Sequence, residues 1–291
     1  MNRSHVLAVA ALLLIWIPLA APLPAANVSV GEQVYRLACA DCHGPRGRGD
    51  GVKARRLGFR PPDFSLASFK CRCTPSGELP TDEDLQRVIS RGLDGTAMMG
   101  FAETLTADEI RAVVAYLKTL VPDLATAEPT SCLQVPAPPP ATRESISDGG
   151  EIYKTLGCWS CHGPSGRGDG SAAKMLTDER GEPIRPLDFG VLGKFKCGGS
   201  PTDFYRTLHT GFNGTPMASF GEAFLFARQN LPSSSVMAAV YDAEAVASYT
   251  SWAGRQPDAA TLEKLSAADR QQLVERRTWA LVGYIESLLR H

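Results

Sequence analysis

Ile110, Val113, Val114 and Leu117 recur at three- and four-residue spacing, which gives one apolar helix face. Thr106 and Glu109 stand just before it as a capping box, each side chain suited to a backbone N–H at the helix start. Thr81 with Asp84, and Ser200 with Pro201 and Asp203, mark two further helix starts. Ser266 and Asp269 introduce a terminal helix whose Leu273, Val274, Leu281, Tyr284, Ile285 and Leu288 are available for packing. Ala245, Val246, Tyr249 and Trp252 give another apolar helical face, and helices are expected over 30–41 and 149–160. No strand–helix alternation runs through the chain. The expected fold class is mainly α.

The chain repeats itself. Cys39-Ala40-Asp41-Cys42-His43-Gly44-Pro45 returns as Cys158-Trp159-Ser160-Cys161-His162-Gly163-Pro164, and each is followed by a Gly-Arg-Gly-Asp-Gly run. Phe69-Lys70-Cys71 returns as Phe195-Lys196-Cys197, and Gly95-Thr96-Ala97-Met98 as Gly214-Thr215-Pro216-Met217. Three ordered blocks argue for two copies of one unit. The copies are expected at 27–125 and 147–291, the second carrying an insertion around 221–265 that covers the domain or shapes a partner interface, with an elaborated surface loop as the equal alternative. Residues 126–146, with Glu128-Pro129 and Val135 to Pro140, read as a proline-rich linker, extended and semi-rigid. An irregular loop within one larger domain is the alternative.

Arg3 followed by the uncharged apolar run Val6–Ala21 and the small residues Ala20 to Ala26 reads as a signal peptide over 1–26. Export would place the mature chain in an oxidising compartment, the bacterial periplasm, soluble after cleavage or membrane-associated. Thirty Lys and Arg against 31 Asp and Glu give no global basic charge, so nucleic acid is not expected as a partner.

The eight cysteines carry the chemistry. In CxxCH, two thiols separated by two residues reach the two vinyl-derived positions of a haem while the adjacent histidine faces its iron. Cys39 and Cys42 would form thioethers with His43 as iron ligand, and Cys158 and Cys161 likewise with His162. A thioredoxin-like disulfide is the competing reading of CxxC, and a zinc site is disfavoured because only His5, His209 and His291 remain. Phe59, Phe64, Phe69, Phe189 and Phe195 are expected as pocket walls, while Tyr35 and Tyr153 would pack the motif helices.

With its motif helix, later methionine loop and terminal helix, the chain resembles two tandem class I-type cytochrome c domains over nearly its whole mature length. The resemblance implies two covalently attached haem c groups, each completed by a methionine thioether. Its loop matches nominate Met98, in preference to its neighbour Met99, and Met217. Histidine–methionine ligation raises a haem potential relative to stronger donor pairs. Met175 and Met237 are read as packing residues, and His209 as a helix or haem-edge histidine rather than an alternate ligand.

Cys71, Cys73, Cys132 and Cys197 permit two disulfides in three connectivities. Their repeat positions suggest Cys71–Cys197 with Cys73–Cys132, although similar local packing would explain the same recurrence. Arg46, Arg48, Lys53, Arg55, Arg56 and Arg60 form a basic run with no equal in the second copy, suited to an acidic redox partner or to a solvated surface.

The function expected is that of a periplasmic dihaem electron-transfer protein. It would shuttle single electrons between a redox protein donor and acceptor, or serve as a subunit of a membrane-associated respiratory oxidoreductase. No catalytic residue is nominated. A dihaem peroxidase or sulfur-compound-oxidising enzyme is the alternative, and it would need an open or displaced iron ligand.

Overall fold

The computed structural model describes residues 25–58, 60–126, 131–191 and 195–289. The signal-peptide reading falls almost wholly outside these residues, as do Phe59, Glu128 and Pro129. Among the described residues the fold is all-helical, with two isolated β-bridges and no strand. No helix in this set is long and apolar enough to cross a membrane.

The first half contains α1 (Ala25–Ala38), α2 (Ala40–His43), α3 (Asp82–Arg91), α4 (Ala107–Leu120) and α5 (Pro122–Thr126). The second contains α6 (Arg143–Thr155), α7 (Trp159–His162) and α8 (Pro201–Thr210), then α9 (Ser234–Ala238), α10 (Ala243–Gly254), α11 (Ala259–Glu263) and α12 (Ala267–Leu288). The capping chemistry read from the sequence sets these starts. Thr81 with Asp84, Thr106 with Glu109 and Ser200 with Asp203 each satisfy exposed backbone N–H groups reciprocally. Helix α6 starts at Arg143, inside the span expected for the linker, because Thr142 and Ser145 form a further box of this kind.

Each half is organised by one helix crossing. Gly31 of α1 lies against α4 so closely that a Cβ there would land on the Ala112 carbonyl oxygen. Gly149 of α6 lies in the same way against the Ala280 carbonyl of α12. One turn further along, Tyr35 packs on Tyr116 at 5.3 Å between ring centroids, and Tyr153 on Tyr284 at 5.4 Å. Around the first crossing gather Leu85, Ile89, Ile110, Val113, Val114 and Leu117; around the second, Ile152, Phe204, Leu208, Leu281 and Ile285. These are two separate hydrophobic clusters.

The motif helices depart from the single helices expected over 30–41 and 149–160. Each is interrupted just before the motif, at Cys39 in the first half and at Leu156 to Cys158 in the second. Tyr35 is four residues before Cys39 whereas Tyr153 is five before Cys158, and Gly157 at φ 71° absorbs the additional residue.

Cys71 bonds to Cys197 and Cys73 to Cys132, the connectivity that the repeat positions suggested. Residues 131–142 carry no regular secondary structure; Leu133 donates its N–H to the Cys73 carbonyl at 2.8 Å and packs its side chain on the second cluster. Beside the Cys71–Cys197 bond the buried Arg72 guanidinium donates to the Phe69 and Pro75 carbonyls and, at 2.7 Å, to Thr210 at the end of α8. Asn213 exchanges hydrogen bonds with the Gly77 N–H and the Glu78 carbonyl, and Arg180 donates to the Pro61 carbonyl. Covalent and polar links therefore hold the halves together.

The additional segment of the second half is structured. Phe224, Met237, Tyr249 and Trp252 are buried in the same cluster as Tyr153, so it covers the second core. Met237 is a packing residue, as expected, but Met175 is 75% exposed and is not.

Gly31→Ala and Gly149→Ala should each destabilise the mature protein by about 2–4 kcal/mol in denaturant unfolding, because a helix backbone cannot retreat as a side chain can. Gly58→Ala, where an added Cβ meets nothing within 4 Å, should stay within about 0.5 kcal/mol. Equal, small effects at all three positions would contradict the crossing.

Candidate functional site

The two CxxCH segments are short helices whose first residues follow directly from the crossing helices. In each, a backbone bond of 2.9 or 2.8 Å from the histidine N–H to the first cysteine's carbonyl closes the turn. The buried Tyr35 hydroxyl then donates to the Gly44 carbonyl at 2.8 Å, and the Tyr153 hydroxyl to Gly163 at 2.6 Å. These tyrosines bond the backbone just past the histidine to the helix that precedes it. The sequence signals their packing role but not this hydroxyl contact.

His43 and His162 are held by the same surroundings. His43 stacks on Phe64 at 5.0 Å and His162 on Phe189 at 4.6 Å, and each phenylalanine stacks on a second, Phe69 or Phe195. His162 Nδ1 is 3.1 Å from the Leu187 carbonyl. A carbonyl can only accept, so this bond puts the proton on Nδ1 and leaves Nε2 with a free lone pair. In the first half, His43 Nδ1 is buried with no hydrogen-bond partner among the described residues. Burial holds the His43 imidazole down to about 4; His162 is also lowered by burial, partly offset by its bond to Leu187. Both rings are therefore neutral at pH 7, as a metal-ligating imidazole must be.

Cys39, Cys42, Cys158 and Cys161 are free thiols although every other cysteine is in a disulfide. Burial pushes the Cys39 thiol up to about 11 and the Cys158 thiol to about 12. A redox-active CxxC instead lowers the pKa of its attacking thiol, the opposite direction from that at Cys39 and Cys158. No cluster of three or more His, Cys, Asp or Glu suited to a metal occurs among the described residues.

Met98 and Met217 occupy matching hairpins. The Leu93 N–H donates to the Met98 carbonyl at 2.9 Å and the Phe212 N–H to Met217 at 2.8 Å. Thr96 and Thr215 hydroxyls accept from the methionine N–H groups at 3.1 and 3.2 Å. Met98 is half-buried whereas Met99 is 67% exposed, so the inner methionine of the pair holds the register of Met217. His209 is engaged elsewhere: its ring stacks on Tyr205 at 4.4 Å and its Nε2 meets the Thr278 hydroxyl at 3.1 Å.

Around each motif the fold brings together a half-buried neutral imidazole, two thiols and stacked phenylalanines, and each half also carries a tethered methionine loop, of which Met217 packs on the second cluster. That donor set fits covalently attached haem c. Residues 26–117 match the family model for cytochrome c oxidase, cbb3-type, subunit III. A comparison with curated proteins finds no match. Among solved structures, a chain of the Kuenenia stuttgartiensis reducing HAO-like protein complex Kustc0457/Kustc0458 is 35% identical, with a TM-score of 0.70 over 90% of this chain and 96% of that one. The chain belongs to the same family as this component of the complex. The likeness spans both halves of the chain, and that relative is a component of a reducing HAO-like protein complex.

Tyr153→Phe should cost about 1 kcal/mol in unfolding through loss of one buried hydrogen bond, and no cost would contradict the clamp. His209 gives a pH signature of its own. Burial holds it down to about 4 from the ordinary 6.5, so the unfolded chain takes up this proton first as pH falls. Its contribution is intact above pH 6.5 and is lost between 6.5 and 4, on the order of 2 kcal/mol. Between pH 7 and 4.5 the wild type should lose more stability than His209→Gln, and superimposable pH profiles would contradict this burial.

Proposed function

We propose that the protein is an exported dihaem c-type cytochrome, two tandem cytochrome c domains joined by the segment around 126–146, that carries single electrons between protein partners. The observation that carries this reading is the doubled site: the same tyrosine clamp and histidine–phenylalanine stack recur at both CxxCH motifs, and the same methionine hairpin recurs in each half. Two separate hydrophobic clusters support the two-domain organisation.

The haem would supply a reversible one-electron iron couple. The chain's own residues set the conditions for it. Cys39, Cys42, Cys158 and Cys161 would hold the porphyrins by thioether bonds, and His43 and His162 would present Nε2 to the irons. The Leu187 carbonyl orients the His162 ring and raises its basicity as a ligand through Nδ1–H. The hairpins would offer the Met98 and Met217 thioethers as the further ligands, and a soft sulfur donor favours the reduced iron. Phe64 and Phe189, backed by Phe69 and Phe195, cover one face of each imidazole, which would limit the charge rearrangement that accompanies electron transfer. With an imidazole and a thioether both committed to each iron, this donor set would suit a carrier or an electron-transfer subunit of an oxidoreductase complex better than an enzyme acting at iron. The relation to a component of an HAO-like complex supports a partner-bound role, and the leader-like residues 1–26 support periplasmic placement.

Spectroelectrochemistry of the holoprotein tests this assignment. Met217→Leu and Met98→Leu should each convert one of two low-spin centres and shift its potential while leaving the other unchanged, and Met99→Leu should alter neither. Unchanged spectra and potentials in Met217→Leu would overturn the ligand assignment; a wild type with a high-spin centre that reacts directly with a small substrate would favour an enzyme.

A further inference from the structure

The loop that follows the first CxxCH motif is a charged surface with no equivalent in the second half. Between residues 41 and 63 lie six cations and three carboxylates, whereas the corresponding 160–188 carries four cations and five carboxylates. Arg46, Arg48, Lys53, Arg55, Arg56 and Arg60 are all exposed. Lys53 pairs with Asp41 at 2.9 Å and Arg60 with Glu182 at 3.4 Å. The other four arginines have no ion-pair partner among the described residues.

This loop is fixed to the motif rather than loosely attached. The Gly49 N–H donates to the His43 carbonyl at 2.8 Å, Gly51 to Cys42 at 3.3 Å and Lys53 to Asp41 at 2.8 Å, while Ala54 is buried beneath. Val52 is 80% exposed among the cations, and Leu37, one helical turn before Asp41, is 87% exposed. An exposed apolar side chain on a cationic loop, as at Val52, is a combination suited to a protein interface, where desolvation and charge act together.

The second half differs at the corresponding positions. Arg46, Val52, Lys53 and Arg56 are matched by Ser165, Ser171, Ala172 and Met175, although Arg48 and Arg55 keep cationic counterparts in Arg167 and Lys174. Its motif is also covered on one flank: Trp159 meets the Tyr241 ring edge-on at 6.5 Å, and Lys154 lies over the same ring at 5.3 Å. Tyr241 belongs to the additional segment that the first half lacks, and the residue matching Trp159 there is Ala40.

We infer that the first half is the docking half, and that the Arg46–Arg56 loop with Val52 receives the acidic surface of a protein redox partner. This deepens, and rests on, the electron-carrier reading. The surplus positive charge steers the approach, and the backbone bonds to Cys42 and His43 place the docked partner beside the first motif.

Reduced flavodoxin, an acidic one-electron donor protein, is a suitable probe, with the oxidised holoprotein as acceptor in stopped-flow measurements. At low ionic strength, Arg46→Gln/Arg55→Gln/Arg56→Gln should lower the second-order rate about tenfold and flatten its dependence on salt. Arg167→Gln/Lys174→Gln in the second half should leave both nearly unchanged, and reduction by the small cation hexaammineruthenium(II) should show no comparable loss in the triple variant. Calorimetric binding of oxidised flavodoxin reads docking without electron transfer, so binding with no reduction would count against the carrier reading alone. Equal rates and salt slopes in wild type and triple variant, or an equal loss from the second-half variant, would overturn the docking assignment.

Discussion

A helix can approach another to backbone contact only where a side chain is missing, and in this protein that happens at Gly31 against Ala112 and again at Gly149 against Ala280. Everything near the motifs follows from these crossings. They fix where α1 and α6 end, and hence where the cysteines begin. They also bring Tyr35 and Tyr153, one turn on, into position to bond the backbone beyond each histidine. The crossings thus set the backbone on which each histidine sits, while the rings themselves are aimed by the phenylalanine stacks and, at His162, by the Leu187 carbonyl.

The two halves share the crossing, the clamp and the stack and differ elsewhere. The loop behind the first motif carries four arginines with no ion-pair partner among the described residues. The second half has a structured cover whose Phe224, Met237, Tyr249 and Trp252 extend its core, and whose Tyr241 meets the tryptophan of its CxxCH edge-on. Between them, Arg72 and the Cys71–Cys197 bond make the junction specific rather than a tether alone. A buried guanidinium satisfied by three carbonyl groups resists sliding, because any displacement leaves a desolvated charge without acceptors.

Much of this was legible in the chain. Capping boxes at Thr81, Thr106 and Ser200 are local chemistry, so their helices start where the sequence places them. The repeat located the motifs and hairpins, and its matching cysteines suggested the observed connectivity. Gly31 and Gly149 were not legible, because a glycine within a helix looks like a flaw until the helix opposite it is known. Met175 shows the reverse difficulty: an apolar residue in a glycine-rich segment reads as core, yet the turn around Ala173 directs it outward. The Thr142 box was obscured by the prolines before it, and the arginine roles at 72 and 180 depend on contacts between residues more than a hundred positions apart.

In the proposed dihaem protein each half would hold one porphyrin through its own cysteine pair. Intact and peptide mass spectrometry of protein matured with its export machinery reads this attachment. The expected increment is two haems, with one on the peptide spanning 39–43 and one on that spanning 158–162. A fully matured chain whose four motif cysteines carry no adduct would overturn the haem assignment.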